Sequence, residues 1–490
     1  MLDETRTLVS RAIDVYVGTA DAEWLAGLEY RLTEPLRVAV VGRVKAGKST
    51  LLNALVGDRL APTDAGECTR IATWYADGHT YRVTARLTDG ESRQLRFTRD
   101  TAAITVDLAG LDPDQVSRLD VTWPSAGLRA ATLIDTPGIG SLSAPTARRA
   151  WDLLIPADDE QRSADAVVYL LRHLHGDDVE FLRAFHDPVC GRPNPVNAIG
   201  VLSRADEIGG GRLDSMTSAG TIAARMSADP VVRRVVQTVV PVAGLLAETA
   251  ATLTEREVAQ LRRVAELDPS SADRLLLSAD RFAGRAAPSL CPELGLDVDQ
   301  RTALLSRFGL FGVRLATTLL RQQPACPASV LADELAAHSG IDELRTVLGS
   351  LFLRRADVLK SHSTLAALTA LTRARPRPGS DALGAEVERI SSAAHPLREL
   401  RVLSAVRSGW ISGRPEVIAE LDRLIGGGGI ELAARLGRSS GAGRAELRGA
   451  AAEALERWQR RVENPMTDRQ LVAAGRVVIR SCEGMLAELA

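Results

Sequence analysis

Lysine and cysteine are both scarce in this 490-residue chain. Three lysines stand beside 57 arginines, and the five cysteines lie far apart with no Cys-x-x-Cys spacing. This cysteine pattern matches neither a zinc site nor a disulfide framework, so we expect a reducing, cytoplasmic environment.

Net charge and aromatic content are low as well. The formal net charge is −2, and Phe, Trp and Tyr together account for 4% of the residues. Proteins that bind nucleic acid usually present a basic surface, and those that bind single strands add aromatic platforms for the bases. We therefore expect no nucleic-acid partner.

The chain also has no long uninterrupted apolar run. Its most apolar long window, residues 235–253, contains Gln237, Pro241 and Glu248. A membrane span needs about 20 consecutive apolar residues, so this window is expected to form a buried strand and a following helix. The first residues lack the basic patch and apolar stretch of a signal peptide, and none is expected.

Two of the three lysines lie in a glycine-rich loop. Residues 42–49 read Gly-Arg-Val-Lys-Ala-Gly-Lys-Ser and follow the apolar run 38–41, which is the pattern of a phosphate-binding loop between a strand and a helix. Its glycines let consecutive backbone N–H groups point at a phosphate, and the helix that begins at Lys48 adds its positive end. Lys48 is expected to neutralise phosphate charge, and Ser49 to offer its hydroxyl to Mg²⁺. The loop therefore predicts a nucleoside triphosphate site with contacts from Gly42, Arg43, Val44, Lys45, Ala46, Gly47, Lys48, Ser49 and Thr50.

A second motif follows another apolar strand. Residues 133–138 read Leu-Ile-Asp-Thr-Pro-Gly, where Asp135 is expected to hold Mg²⁺ through water and Gly138 to donate its backbone N–H to the γ-phosphate. Thr69, before a predicted strand at 71–75, is placed to close over Mg²⁺ as a switch threonine, with Thr63 as the competing candidate. The predicted metal site therefore combines Ser49, Thr69 and Asp135.

The base is predicted from residues 203–206, which read Ser-Arg-Ala-Asp after a predicted strand. A guanine-reading motif, Asn/Thr-Lys-x-Asp, is expected at this place, although Ser203 and Arg204 depart from it. Asp206 would accept hydrogen bonds from guanine N1 and N2, a donor pair that adenine lacks. The segment Val242-Ala243-Gly244 ends the next strand, where a backbone N–H would meet guanine O6, and Ala243 is the predicted contact. GTP is the predicted substrate.

Short apolar strands occupy only one part of the chain. Helical periodicity covers residues 1–34, short strands separated by helices fill 35–250, and helical periodicity alone returns over 251–490. Apolar strands separated by helices predict a mainly parallel sheet with helices on both faces. The predicted fold is an α/β P-loop GTPase domain over residues 35–250 joined to a long α-helical bundle.

These features together resemble bacterial dynamin-like GTPases. The resemblance rests on Gly-Lys-Ser-Thr-Leu-Leu-Asn-Ala-Leu at 47–55, on the motifs over about 38–245, and on the segment 306–314, which looks like the neck of that family. It implies hydrolysis of GTP to GDP and phosphate, self-association through GTPase heads, and helices that work on a lipid membrane. It also implies that the helical bundle is an elongated neck and trunk over 251–490, which includes residues 1–34 and has a candidate tip near 405–430. A peripheral position at the inner face of the plasma membrane and a related dynamin-like partner are further implications.

The phosphate-binding loop departs from that family at two positions. Dynamins usually have Gln-Ser where this chain has Val44 and Lys45. Val44 cannot orient water, whereas Lys45 is expected to supply transition-state charge, the alternative being a solvated loop cation. The predicted catalytic residues are therefore Lys45, Lys48, Thr69 and Gly138. Arg43 is a candidate for contact across a head-to-head dimer or for a surface ion pair.

A membrane-binding tip is predicted only weakly by the sequence. The best candidate is residues 408–413, where Trp410 and Ile411 stand between glycines, with Arg407 and Arg414 beside them. A tryptophan packed into the bundle is the alternative. Three functions stay open: a membrane-remodelling GTPase, a GTP-switched scaffold that acts through a protein partner, and a ribosome-assembly GTPase, which the near-neutral charge disfavours.

Overall fold

The computed structural model describes residues 1–62, 71–99, 104–139, 151–155, 163–185, 195–284, 292–407 and 409–490. We name residues 35–250, which hold all described strands, the sheet region, and residues 251–490 the helical region. The described strands are β1 (Leu36–Gly42), β2 (Thr73–Ala76), β3 (Arg82–Leu87), β4 (Ser92–Arg99), β5 (Ile104–Asp107), β6 (Val116–Thr122), β7 (Ala131–Asp135), β8 (Ala166–Leu171), β9 (Ala198–Ser203) and β10 (Val239–Val242).

Helices precede, interrupt and follow these strands. They are α1 (Leu2–Val15), α2 (Ala20–Thr33), α3 (Lys48–Val56), α4 (Gly176–Phe185), α5 (Ser215–Ala228), α6 (Gly244–Ala251), α7 (Glu255–Glu266), α8 (Pro269–Leu275), α9 (Ala279–Ala283), α10 (Val298–Gln322), α11 (Ala328–Ala337), α12 (Ile341–Leu351), α13 (Ala356–Ala374), α14 (Ser380–Ala393), α15 (His395–Arg407), α16 (Pro415–Leu424), α17 (Leu432–Leu436), α18 (Arg444–Glu463) and α19 (Arg469–Glu488).

The strands form one sheet in the order β10-β9-β8-β1-β7-β2-β6-β3-β4-β5. The strands from β10 to β7 all run parallel. β1 shows why the sheet is covered on both faces: Val38 and Val40 pack with α3 and α12, whereas Ala39 and Val41 pack with α4 and α5. The prediction of a mostly parallel sheet between helices, followed by a large helical region, is confirmed.

In the far half of the sheet only β2 is predicted by the sequence, and the strands β3 to β6 are not. β3, β4 and β5 pair antiparallel, and β2 pairs antiparallel with β7. β3 alternates strictly, with Val83, Ala85 and Leu87 buried and Arg82 and Arg86 exposed. A period of two is the signal of a half-buried strand, and a search for apolar runs overlooks it.

The N-terminal helices pack on the helical region. Residues of α1 and α2 share a core with α13 and α14. The third lysine, Lys360 on α13, is buried and donates from Nζ to the carbonyls of Leu32 and Glu34, each at 3.0 Å. A buried ion pair of 2.7 Å between Arg31 and Asp165 joins α2 to the sheet region. The carbonyls left open where α2 ends are therefore satisfied by a cation from the far half of the chain.

The helical region also packs directly on the sheet region. Ile341 and Leu344 of α12 belong to the core around α3, and the carbonyl of Ser339 accepts a hydrogen bond of 2.8 Å from the backbone of Ala243. Helices α18 and α19 instead form a separate core with α16, centred on the fully buried Trp458.

One described helix, α10, is long and apolar enough to cross a membrane by length and composition. Half of its most apolar window is buried inside the protein, and Phe308 and Phe311 lie in the core with α6 and α7. Its apolar character is explained by this packing.

Candidate nucleotide-binding site

The phosphate-binding loop lies between β1 and α3, at the carboxyl edge of the parallel strands. Two of its glycines are required by the backbone. At Gly42, where φ is +155°, a Cβ atom would lie 2.8 Å from the carbonyl oxygen of Leu170, and at Gly47, where φ is +94°, the chain turns into α3. Lys45 between them also has a positive φ of 63°. The loop is therefore held in a conformation that few other sequences adopt.

Lys48, Ser49 and Asp135 lie close together at the loop. The Ser49 hydroxyl donates to Oδ2 of Asp135 at 2.7 Å, and Lys48 Nζ donates to the carbonyl of Arg43 at 3.3 Å. Burial raises the pKa of Asp135, although Lys48 and the Ser49 hydroxyl oppose the rise. Burial also lowers the pKa of Lys48, against the attraction of Asp135. A buried ammonium and a buried carboxylate thus face the same point of the loop.

The donor set fits Mg²⁺. The second carboxylate oxygen of Asp135, Oδ1, is buried and has no hydrogen-bond partner among the described residues. Such an atom is costly unless it meets a ligand, and Mg²⁺ prefers carboxylate and hydroxyl oxygens. Ser49 and Asp135 are the described residues that would hold the ion.

Gly138 lies against the phosphate-binding loop. A Cβ at this position would come within 2.6 Å of the Val44 side chain and 2.9 Å of its backbone nitrogen, so only glycine fits. The next residue, Ile139, donates its N–H to the carbonyl of Gly42 at 3.1 Å, and the Thr136 hydroxyl donates to the carbonyl of Val40 at 2.9 Å. These bonds fix the second motif beside the first.

Val44 and Lys45 both point their side chains to solvent. Val44 is 63% exposed and carries no polar atom that could hold water, and Lys45 is also exposed. The Lys45 carbonyl accepts a hydrogen bond of 2.8 Å from Arg204 Nη2. Arg204, which stands where the guanine-reading motif usually has lysine, therefore ties the base side of the site to the phosphate side.

A cavity of about 220 Å³ lies next to the loop and contains the predicted base-reading residue. Asp206 is only 7% exposed. Burial raises the pKa of Asp206 to about 6, while its own backbone N–H and the cations Arg204 and Arg172 act in the opposite direction. The cavity is lined by Ala46, Gly47, Thr50, Leu51, Leu170, Val201, Ser203, Arg204, Asp206, Glu207, Val242, Gly244 and Leu245.

The prediction for Ala243 is wrong. Its backbone N–H already donates to the carbonyl of Ser339 at 2.8 Å, because the turn before α12 packs against the end of β10. Gly244 and Leu245 follow and line the cavity. As the first residues of α6 they have no N–H acceptor within the helix, so they replace Ala243 as candidate donors to guanine O6.

The two candidate switch threonines, Thr63 and Thr69, lie outside the described residues. The backbone just before them is held by Asn53, a residue that the sequence analysis does not identify. Asn53 Oδ1 accepts from the backbone of Leu60 at 3.0 Å and Ala61 at 2.7 Å, and Nδ2 donates to Glu248 at 3.2 Å. The sequence signal that could have identified Asn53 is a polar residue within the otherwise apolar end of helix α3.

The candidate membrane tip does not present its apolar pair. Trp410 is 45% exposed, but Ile411 is only 8% exposed and belongs to the core around Trp458. Arg407 donates to the Gln237 side chain at 3.1 Å, and Arg233 donates to the carbonyl of Val406 at 3.0 Å. Residues 406–407, just before the candidate tip, thus pack on the sheet region, and the burial of Ile411 in the core around Trp458 corrects the expectation for that residue.

Comparisons with known proteins identify relatives of this chain. A sequence model described as the dynamin family matches residues 38–150. The isoniazid-induced protein IniC from Mycobacterium tuberculosis is 42% identical over 458 residues, which cover 94% of this chain and 91% of that protein. A bacterial dynamin-like protein from Nostoc punctiforme is 34% identical over 120 residues, or 22% of this chain and 17% of that protein.

A solved structure of an oligomerised bacterial dynamin pair, described as providing a mechanism for the long-range sensing and tethering of membranes, is also similar. It is 13% identical, the TM-score is 0.30, and the match covers 96% of this chain and 87% of that chain. Identity to IniC over almost the whole length, together with the dynamin match over both phosphate-side motifs, identifies the family. The chain belongs to the dynamin family of GTPases, among the bacterial dynamin-like proteins similar to IniC.

Proposed function

We propose that this chain binds Mg²⁺-GTP in the site described above, hydrolyses it, and couples association of two GTPase heads to binding or remodelling of a membrane. The observation that carries the nucleotide part is Asp135, with Oδ2 on the Ser49 hydroxyl and a buried, unpartnered Oδ1. Lys48, Ser49 and Asp135 then surround the triphosphate and its metal.

Phosphoryl transfer depends mainly on positioning and on electrostatic stabilisation. Lys48 and the backbone N–H groups of the loop hold the phosphates, Gly138 senses the γ-phosphate, and Lys45 adds positive charge as the transferred group departs. Mg²⁺, when bound, supplies further charge neutralisation on the phosphate oxygens. Thr69 completes the metal site in this proposal.

Base recognition uses the cavity beside the loop. Asp206 accepts from guanine N1 and N2, and a backbone N–H of Gly244 or Leu245 meets O6. Because adenine leaves the buried carboxylate unpaired, GTP is selected over ATP.

The nucleotide site is tested by binding a fluorescent GTP analogue with and without Mg²⁺. Wild-type protein should bind more tightly with Mg²⁺, and Ser49→Ala should lose that difference while keeping metal-independent binding. Thr50→Ser, a neighbouring change that keeps a hydroxyl, is the control. Equal Mg²⁺ dependence in wild type and Ser49→Ala would contradict the assignment.

Head association is tested by turnover at increasing protein concentration. A self-associating GTPase should hydrolyse more GTP per molecule as concentration rises, whereas a monomeric enzyme stays flat. Arg43→Ala should weaken this rise if Arg43 contacts the second head. A flat profile in wild type would remove the self-association part of the proposal.

Membrane binding is tested by flotation with anionic liposomes, comparing nucleotide-free protein with protein bound to a non-hydrolysable GTP analogue. Family membership supports binding at the inner face of the plasma membrane. Nucleotide-dependent flotation that Trp410→Ala reduces would support this role and locate the contact.

A GTP-switched scaffold is the second candidate. The burial of Ile411 and the packing of residues 406–407 on the sheet region favour it, because no apolar pair is presented at that place. Absence of flotation in both nucleotide states, with GTP turnover intact, would select this function over membrane work.

A further inference from the structure

The long helix α10 is broken at one residue, and the break lies next to two residues that line the base cavity. Gly309 has φ 60° and ψ 176° inside an otherwise helical segment. A Cβ built on Gly309 would lie 3.4 Å from Oδ2 of Asp206 and 3.9 Å from Cδ2 of Leu245. Asp206 and Leu245 both line the cavity. Gly309 therefore lies beside the carboxylate of Asp206 and the side chain of Leu245.

The part of α10 after the break holds the backbone that follows Asp206. Arg314 donates from Nη1 to the carbonyls of Gly210 at 3.1 Å and Gly211 at 2.5 Å. The same guanidinium donates to the carbonyl of Leu276 at 2.6 Å. A Cβ on Gly211 would lie 3.2 Å from the backbone nitrogen of Phe311. One arginine thus fixes the base-side loop to the helical region at several points.

The part of α10 before the break is anchored independently. Arg307 forms an ion pair of 2.7 Å with Glu257 and donates to the carbonyl of Thr252 at 3.0 Å. Its own carbonyl accepts from the hydroxyl of Thr249 on α6. Because both halves are held, the position of Gly309 relative to Asp206 is set by packing.

Only glycine suits this position. A residue with φ near +60° and ψ near 180° occupies a region that is essentially restricted to glycine. A side chain at this position would strain the backbone because of these dihedral angles, while its Cβ would lie at ordinary contact distance from Asp206 and Leu245. A shift of α10 that relieves the strain would therefore act next to two residues that line the base cavity.

We propose that Gly309 is a positioning residue for guanine recognition: the break in α10 lies beside Asp206 and Leu245 and holds Asp206 in the orientation that reads guanine N1 and N2. This inference rests on the proposed binding of GTP. It makes base selectivity a property of the helical region as well as of the sheet region.

The test compares dissociation constants for GTP and inosine triphosphate in the full-length protein. Inosine triphosphate has the same phosphates but lacks the N2 amino group, so the ratio of the two constants measures one hydrogen bond to Asp206. Wild type should prefer GTP by about tenfold, a typical effect of a hydrogen bond to a charged group. Gly309→Ala should reduce that ratio toward one.

Gly349→Ala is the matched control, because Gly349 lies in helix α12 with open space around its Cβ position. It should leave the ratio unchanged. Asp206→Asn gives the reference loss, and adding Gly309→Ala to Asp206→Asn should not lower the ratio further, since both act through the same carboxylate. Arg314→Gln leaves the break intact and should reduce the ratio by a smaller factor, which covers the case in which Gly309→Ala does not fold.

The outcomes separate the two levels of the proposal. Equal weakening of GTP and inosine triphosphate by Gly309→Ala, or an unchanged ratio in both Gly309→Ala and Arg314→Gln, would overturn the positioning role while leaving GTP binding in place. No preference for GTP in wild type would instead overturn base reading by Asp206, and the inference with it.

Discussion

The phosphate side and the base side of the site are built in different ways. The phosphate side consists of the short segment 42–49 and a second segment that ends at Gly138, both within the sheet region. On the base side, Ser339, Gly309 and Arg314 of the helical region lie against Ala243, Asp206 and Gly211. The phosphate side is therefore built from local motifs, whereas in our proposal base recognition depends also on packing between the two regions.

The two acidic residues show the same contrast. Asp135 has a neighbouring ammonium and a hydroxyl on its carboxylate. At Asp206 the cost of burying a negative charge is less well offset. Glu207 adds like charge, and the nearby cations Arg204 and Arg172 already bind Glu207. In our proposal, Mg²⁺ offsets the free-energy cost of burying Asp135, and guanine offsets that cost at Asp206.

Lys48→Ala should break the phosphate side with the largest effect. It removes a buried ammonium from the loop, and GTP affinity should fall by about a hundredfold or more. Isothermal titration calorimetry measures the loss. Lys45→Ala, which removes the exposed lysine of the same loop, is the matched control and should bind GTP nearly as wild type does.

Lys45→Ala should in turn lower turnover by about a hundredfold, if Lys45 supplies transition-state charge. Single-turnover hydrolysis at saturating GTP reports the chemical step directly. Lys45→Arg, which keeps the charge, should recover part of the rate. Unchanged turnover in Lys45→Ala would mean that Lys45 is only a solvated cation.

Asp206→Asn sharpens the comparison from the base side. GTP affinity should fall by about tenfold, while xanthosine triphosphate should gain, because an amide can donate to the xanthine 2-carbonyl. Competition binding with both nucleotides gives the ratio. GDP should weaken by the same factor as GTP, since no phosphate contact has changed, and a γ-phosphate-dependent loss would count against the assignment.

The smallest expected effect is on stability. Because the pKa of Asp206 is raised to about 6 in the folded state, mainly by burial, its charged form destabilises nucleotide-free protein above that pH. This penalty fades as pH falls from about 6 toward the unfolded value near 4. Asp206→Asn should therefore melt a few degrees higher than wild type at pH 7.5, and the gap should close near pH 4.5. A gap that does not change with pH would point to packing instead of charge.

The sequence predicts what is local. Residues 42–49, Asp135 and Gly138 were predicted because strand, glycines and helix follow one another directly, and the structure brings them together. The parallel strands were predicted because burial on both faces makes their sequences continuously apolar. The alternating strands of the antiparallel half carry a weaker signal and were missed.

What the sequence does not predict depends on distant partners. The N–H of Ala243 was assigned to the base, but Ser339, far along the chain, already accepts it. The burial of Ile411 and the position of Gly309 beside Asp206 are likewise set by packing between segments that are remote in sequence. Motif spacing carries no information about such contacts.

The contacts of Lys360 limit when α1 and α2 can finish folding during translation. Its ammonium binds the end of α2 across a sequence separation of 328 residues to Leu32. At a translation rate of about 5–20 residues per second, α1 and α2 leave the ribosome roughly 15–65 seconds before this lysine is made. The α1 and α2 helices therefore cannot complete their packing until α13 and α14 have been translated, and until then the faces that pack on those two helices stay uncovered by them.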